Sequence, residues 1–383
     1  MKIPLSEPLL NGREWRYVKE CLDTGWVSSA GKYVSRFEED VCRLTGAKYG
    51  IAVVSGTAAL QTALEIVGVR AGDEVIVPTV TFIAPVNCLR YLKAEPVFMD
   101  CDEYYNMDVD KTLDFLKEET IVKEGACVNK RTKRKIRAIV PVHVFGHAVN
   151  LAPLMEICRQ KNIAVVEDAT ESLGTYYKNG KLSLRHTGTV GDMGCFSFNG
   201  NKIVTTGGGG MIVSNDKKLA ERARYLTTQA KDDARRYIHN EVGYNFRLSN
   251  VHAAIGVAQL QSLKKIIATK KKNYQIYQKQ INTIDGLRLA DVPGYAENNY
   301  WLYALQIDPK RYGKKRDALL KIFAKNNIEA RPLWYLNHWQ KPYQHCQTYK
   351  IERAVSMWER TLNIPSSAGL KGEEIVKIIQ LLK

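Results

Sequence analysis

The chain has 383 residues, 45% of them hydrophobic, with 56 Lys and Arg against 40 Asp and Glu and a formal net charge of +16. That apolar content supports a large buried core and excludes a disordered chain, and the length favours two domains. The positive excess suits anionic partners, but the basic runs at 129–137 and 264–272 lack interleaved aromatics, a recognition helix or zinc spacing, which argues against nucleic acid and for phosphorylated small molecules.

Periodicity places the elements in chain order. An apolar run at 51–54 leads into a helix near 57–67, followed by a strand at 74–78, a helix near 84–92 and a strand at 96–100. The rhythm continues through an amphipathic stretch carrying Val109, Leu113 and Leu116, a strand at 138–142, a helix at 151–160 and a strand at 163–166. Such alternation predicts a mostly parallel sheet wrapped by helices, an α/β domain. After Asp168 the apolar runs shorten, and 194–198 and 211–213 read as strands at or near the sheet edge. A helical pattern from 249 through 263, extendable to 281, is long enough to leave one domain and enter another, and its lysines at 264–272 read as a solvated face. Strands at 286–289, 301–307 and 328–331, with helices near 316–325 and 373–382, predict a smaller α+β domain. The expected division is 1–262 and 263–383.

The eight cysteines are scattered without C-x-x-C spacing, so neither a disulfide framework nor a metal site is expected. No basic-then-apolar leader pattern opens the chain and no apolar run reaches about 18 residues, so a cytoplasmic protein without a membrane partner is expected.

The chemistry is concentrated in two segments. Lys202 lies in Ser197-Phe198-Asn199-Gly200-Asn201-Lys202, a turn between two short strands that continues into Gly207–Gly210. Asp168 ends an upstream strand, and ligands of open α/β sheets collect outside the carboxyl ends of strands. A lysine amine can condense with an aldehyde, and a carboxylate can hold a heterocyclic cation, so the pair suggests a pyridoxal phosphate Schiff base. Taken singly, Asp168 reads as a helix cap and Lys202 as an exposed turn lysine. The four glycines are no phosphate loop, because a strand rather than a helix follows them; they read as letting backbone pass close to a bulky ligand. A better phosphate cradle is Ser55-Gly56-Thr57, where a strand turns into a helix whose N-terminus offers free amides. Ser197 can add a hydroxyl to the same phosphate, and Phe82 can stack on a ring.

With those residues in hand, the chain resembles the DegT/DnrJ/StrS sugar aminotransferases, a fold-type I pyridoxal phosphate family. The matching stretches include WVSSAGKYVSRFE at 26–38, SGTAALQTAL at 55–64, DEVIVPTVTFIA at 73–84, VEDATESLGT at 166–175, CFSFNGNKIVTTGGGGMI at 195–212 and GYNFRLSNVHAAIGVAQL at 243–260. The resemblance implies a seven-stranded, mostly parallel sheet sandwiched by helices, plus the smaller C-terminal domain. It implies Lys202 as the Schiff-base lysine and Asp168 as partner of the pyridine nitrogen. Gly56, Thr57 and Ser197 match phosphate-binding positions, and Phe82 the aromatic over the ring. Asn245 matches an asparagine given to the neighbouring subunit's phosphate, hence a homodimer with shared active sites. Glu171 matches a position near the cofactor hydroxyl. Its acid, together with PVHVFGH at 141–147 and the insertion near 129–137, is similar to the subgroup that builds bacillosamine and legionaminic acid precursors on UDP-sugars. Arg331 resembles a small-domain position near the substrate, and His338 is a further candidate for that pocket, with a packing histidine as the alternative.

The implied activity is transfer of an amino group from an amino acid, L-glutamate by resemblance, to the 4-keto group of a UDP-linked 2-acetamido-2,6-dideoxy sugar, in surface polysaccharide biosynthesis. GDP- or dTDP-linked keto sugars, including 3-keto ones, are the alternatives. A sugar 3-dehydratase would replace the lysine with histidine, and Lys202 argues against it. A regulatory protein on the same fold would not need the intact lysine, aspartate and phosphate motifs.

Overall fold

A computed structural model describes residues 2–383. Its main layer is built from β1 (Tyr49–Val53), β2 (Glu74–Pro78), β3 (Glu95–Met99), β4 (Ile136–Ile139), β5 (Ala164–Asp168), β6 (Met193–Ser197) and β7 (Gly210–Ser214). A two-residue strand from the C-terminal third, Thr348–Tyr349, pairs in parallel with β3 and completes eight strands in the order β1-β7-β6-β5-β4-β2-β3-edge. Strand β7 runs antiparallel to both β1 and β6, and the other pairs are parallel. The expected seven-stranded α/β sheet is present, with the small eighth strand as an addition. The two strands after Asp168 occupy its second and third positions, and β1 takes the edge.

The interior strands are legible because both their faces are covered. All five residues of β2 are buried, as a continuous Val75-Ile76-Val77 run requires of a parallel strand between helical layers. The helix Leu151–Gln160 buries Leu151, Leu154, Ile157 and Cys158 at helical spacing.

A second sheet, of β8 (Leu287–Leu289), β9 (Tyr303–Ile307), β10 (Arg331–Pro332) and β11 (Thr361–Ile364), is antiparallel in the order β8-β9-β11-β10. It packs with the helices Leu263–Ile281 and Gly372–Leu382 around its own core, which includes Tyr277, Phe323 and Leu382 and takes in Ile3 from the N-terminus. The chain returns to the large core through Leu333, Leu336, Tyr343 and Met357, so the cleft between the sheets is walled from both.

The long helical pattern is two helices, Asn250–Leu260 and Leu263–Ile281. Their junction is gripped by the N-terminal segment: Arg13 donates to Gln261 Oε1 at 3.2 Å, Gln261 donates to the Tyr17 hydroxyl at 3.1 Å, and Asn11 donates to Ser262 Oγ at 2.6 Å.

One lysine of the supposed solvated face is buried. Lys264, Lys265 and Lys272 are exposed, but Lys270 is only 2% exposed and donates to the Ser366 carbonyl with no acid partner among the described residues. Burial pushes its amine down to about 7. Below that value both the folded and unfolded chains carry the proton and the fold bears the whole cost of a buried charge. Above it the unfolded chain still binds a proton that the folded chain has released, so stability rises with pH through the window from about 7 towards the usual lysine value. Wild-type protein should therefore gain about 2 kcal/mol relative to Lys270→Met between pH 7 and pH 9, read from denaturant midpoints. Parallel pH profiles of the two proteins would refute this.

Candidate active site

The cleft between the two sheets has a volume of about 750 Å³, and the carboxyl ends of β1, β5 and β6 open onto it. At one end β1 turns into the helix Gly56–Ile66. Ser55, in extended backbone, caps that helix by accepting from the Ala58 amide at 3.0 Å. The amides of Gly56 and Thr57 are thereby left free, as first-turn amides are, at the positive end of the helix dipole. A Cβ on Gly56 would lie 2.9 Å from Ser197 Cβ, so glycine is what lets the helix start close against the Ser197 strand end. Of the glycines after Lys202, Gly208 and Gly209 line the cleft, while Gly210 serves a packing contact: a Cβ there would lie 2.3 Å from the Ser55 carbonyl oxygen.

At the floor, Asp168 is 2% exposed and accepts from the Thr170 amide at 3.1 Å. Burial pushes its carboxyl up, against the smaller pull of Thr170, Lys202 and His143. A buried carboxylate held away from water is one that gains by meeting a cation. Behind it His143 accepts the Val149 amide on Nδ1 at 3.0 Å, so the ring proton sits on Nε2 and points at Glu167 Oε2, 2.9 Å away. Glu167 also takes the amides of Gly188, Val190 and Gly191; against the push of burial, His143 first and then the Gly191 and Gly188 amides hold its carboxyl low.

Lys202 is presented by the turn between β6 and β7. Its amide donates to the Asn199 carbonyl at 3.0 Å, and Trp301 Nε1 pins the Asn201 carbonyl at 2.8 Å. The amine lies 4.1 Å from the centre of the Trp301 ring and 3.8 Å from Glu171 Oε1. Burial lowers its affinity for a proton, while Glu171 and Asp168 oppose that shift. Burial likewise raises the Glu171 carboxyl to about 7. Burial thus shifts both groups towards their neutral forms, the direction that lets an amine release as well as accept a proton.

Glu171 Oε2 accepts from the Phe145 amide at 2.7 Å. Phe145 is fully buried in left-handed backbone (φ 57°, ψ 13°), a costly conformation for an aromatic residue, about 1–3 kcal/mol. Its ring packs 5.3 Å from both Tyr105 and Trp334. Fully burying a phenylalanine side chain contributes about 1.5–3 kcal/mol, enough to offset strain of this size.

Of the residues singled out from sequence, Gly56, Thr57, Phe82, Asp168, Glu171, Ser197, Lys202 and Arg331 all line this one cleft. Phe82 stands 54% exposed at its rim, and Arg331 is exposed on β10. Asn245 is exposed and lies outside the cleft of its own chain. His338 is set behind the wall, where its Nδ1 meets Thr79 Oγ1 at 2.6 Å and its ring lies against Phe98 and Trp339. Three groups of the site carried no sequence signal as such: Trp301 over the Lys202 amine, the Phe145 amide on Glu171, and Asn363. The last is 3% exposed, lines the cleft across from Arg331 in register, and has an Oδ1 without a partner among the described residues.

Free helix amides, a buried carboxylate lacking a cation and a buried amine of lowered basicity fit a group that carries a phosphate, a ring nitrogen and an aldehyde. Comparison with known proteins agrees. The model of the DegT/DnrJ/EryC1/StrS aminotransferase family matches residues 8–383. GDP-perosamine synthase of Escherichia coli O157:H7 is 35% identical over 99% of this chain and 97% of its own length. GDP-perosamine synthase of Caulobacter vibrioides is 36% identical over 100% and 97%. The crystal structure of the aminotransferase TlmJ from Streptoalloteichus hindustanus superposes with a TM-score of 0.88 at 26% identity, covering 100% of this chain and 98% of that one.

Proposed function

The chain belongs to the DegT/DnrJ/EryC1/StrS aminotransferase family, and on that premise we propose that it moves an amino group from L-glutamate to the 4-keto carbon of a 6-deoxy sugar carried on a nucleoside diphosphate. As a member it is a pyridoxal phosphate-dependent transferase. The observation that carries the finer reading is the convergence of Lys202, Asp168, Glu171 and the Gly56–Thr57 helix start on one cleft.

When bound, pyridoxal phosphate supplies an aldehyde that condenses with amines and a ring that withdraws electrons from the carbon being deprotonated. In this reading Gly56 and Thr57 amides, with the Thr57 and Ser197 hydroxyls, hold the phosphate, and Asp168 keeps the ring nitrogen protonated. Phe82 covers the ring face. Glu171 faces the ring hydroxyl and sets the charge of Lys202. The Lys202 amine anchors the cofactor between turnovers and, once released, carries a proton off the donor's α-carbon and returns one to the acceptor carbon. Fixing one amine within reach of both carbons makes each transfer effectively intramolecular. Arg331, a cation without an acid partner among the described residues, faces the acceptor's anionic part.

In this reading a homodimer follows from Asn245, which is exposed outside its own cleft and would complete the partner's phosphate site. The apolar side chains near it, Tyr237 at 73% and Val242 at 87% exposure, support a covering second copy. Relatives named GDP-perosamine synthase favour a GDP-linked acceptor over the UDP-linked one that Glu171 and the 141–147 segment suggest. The deciding experiment measures amine transfer from L-glutamate to a panel of UDP-, GDP- and dTDP-linked 4-keto-6-deoxy sugars, with 3-keto sugars as controls. One 4-keto sugar should exceed the rest by about 10²-fold or more in kcat/KM, since one buried polar group left unpaired by a wrong substrate costs up to about 3 kcal/mol. Turnover of no 4-keto sugar would overturn the proposal.

A further inference from the structure

Among the buried residues that the proposed reaction does not use, Phe145 touches the chemistry most directly. Its amide is the donor that fixes Glu171 Oε2, and its left-handed φ of 57° sets where that N–H points. The turn is locked at both sides. The Val144 amide donates to Asn106 Oδ1 at 3.0 Å, and Asn106, itself fully buried, donates to the Ala148 carbonyl at 3.0 Å. Gly146 follows at φ 89°, and a Cβ there would lie 2.0 Å from Asn299 Oδ1. Asn299 in turn donates to the Glu171 and Leu173 carbonyls, so the Glu171 loop and the turn are held as one unit.

Glycine would adopt this backbone without strain, yet the position holds a phenylalanine whose ring is clamped between Tyr105 and Trp334. Trp334 belongs to the cleft wall and follows β10, so the clamp joins the wall that faces substrate to the amide that faces Glu171. We propose that Phe145 is a positioning residue: its ring, wedged between Tyr105 and Trp334, forces the left-handed turn that aims the amide at Glu171 and so fixes the carboxylate opposite Lys202. The inference rests on the reading of Glu171 as a cofactor-facing acid, but its test does not require that reading to hold.

The charged groups that face Glu171 are Lys202 and Asp168, and neither the turn nor the Asn299–Trp301 segment adds another. The test compares Phe145→Ala with Phe145→Gly. Both remove the ring; only glycine keeps the left-handed turn without it. Carboxyl-labelled glutamate in cofactor-free protein gives the Glu171 titration by carbon NMR, with Glu171→Gln assigning the resonance. Losing a hydrogen bond to the ionised form raises its midpoint, by about one unit, in Phe145→Ala, while Phe145→Gly stays close to wild type. If the two variants, both folded by circular dichroism, shift Glu171 equally or not at all, the ring acts only by filling space and the proposal fails. If Glu171→Gln turns over normally, the role given to Glu171 fails instead, and the titration still decides the role of Phe145. Should Phe145→Ala not fold, Trp334→Ala takes its place, since it removes one side of the clamp and should raise the same midpoint.

Discussion

Lys202→Ala should lose at least about 10⁴-fold in amine transfer, measured as 4-amino sugar formed from L-glutamate in the presence of saturating pyridoxal phosphate. General acid–base catalysis by a positioned side chain contributes about 10²–10⁴-fold, and the loss of the covalent anchor adds to it. The magnitude follows from the site, because no second amine lines the cleft among the described residues. Glu171, 3.8 Å from Lys202, is an acid of raised affinity for protons and lacks the amine's nucleophilicity. Lys202→Arg is the sharper control, since it keeps a cation over Trp301 but cannot shed its proton near neutral pH. It should be as inactive as the alanine variant. Borohydride treatment of wild-type protein should fix the cofactor on the peptide carrying Lys202, and neither variant should retain it. Turnover within about tenfold of wild type in Lys202→Ala would remove the lysine from the chemistry.

The second large effect is expected at Asp168. Asn at this position keeps the volume and can still accept from the Thr170 amide, but it carries no charge to hold a ring nitrogen protonated. Breaking a buried charge pair costs about 2–5 kcal/mol, which corresponds to a fall of about 30- to 5,000-fold in kcat/KM. The cofactor's affinity should fall by less, because the phosphate contacts at Gly56 and Thr57 are untouched. A pyridoxal phosphate analogue with a permanently cationic ring nitrogen should restore part of the rate in Asp168→Asn and none in Lys202→Ala. An Asp168→Asn enzyme with unaltered turnover would show that the carboxylate only caps the segment that follows it. The fully buried His143–Glu167 pair behind Asp168 makes the same point about support: His143 donates its own amide to the Asp168 carbonyl at 3.1 Å, tying that strand end to its neighbour.

Much of this was legible from the chain. The run at 74–78 and the helices at 151–160 and 316–325 have the bounds that periodicity gives, because their buried positions recur at the spacing of their own secondary structure. The residues of the site were found where a chemical group needs a specific backbone context: an amine in a turn, an acid at a strand end, small residues at a helix start. Other features left no such trace. The edge strand Thr348–Tyr349 is two residues long and is made by pairing with Phe98 and Met99, far away in sequence. The strand Thr361–Ile364 reads as a strand only beside Tyr303–Ile307 and Arg331–Pro332. The helix break at Gln261 depends on Tyr17, 244 residues away. The burial of Lys270 inside a run of exposed lysines depends on Ser366.

What the sequence determined by itself is the α/β alternation, the family and the local settings of Lys202, Asp168 and the Gly56–Thr57 helix start, since each of these is written in residues that lie close together along the chain. What only the tertiary structure decided is the charge balance between Lys202 and Glu171, the left-handed turn at Phe145, the isolation of the Asn363 amide and the exposure of Asn245. The physical reason is that protonation, strain and unpaired hydrogen bonds depend on which distant groups desolvate or clamp a residue. Lys202 is an ordinary lysine until Trp301 and Glu171 surround it, and Phe145 holds a conformation unfavourable for phenylalanine because Tyr105 and Trp334 stabilise its ring there.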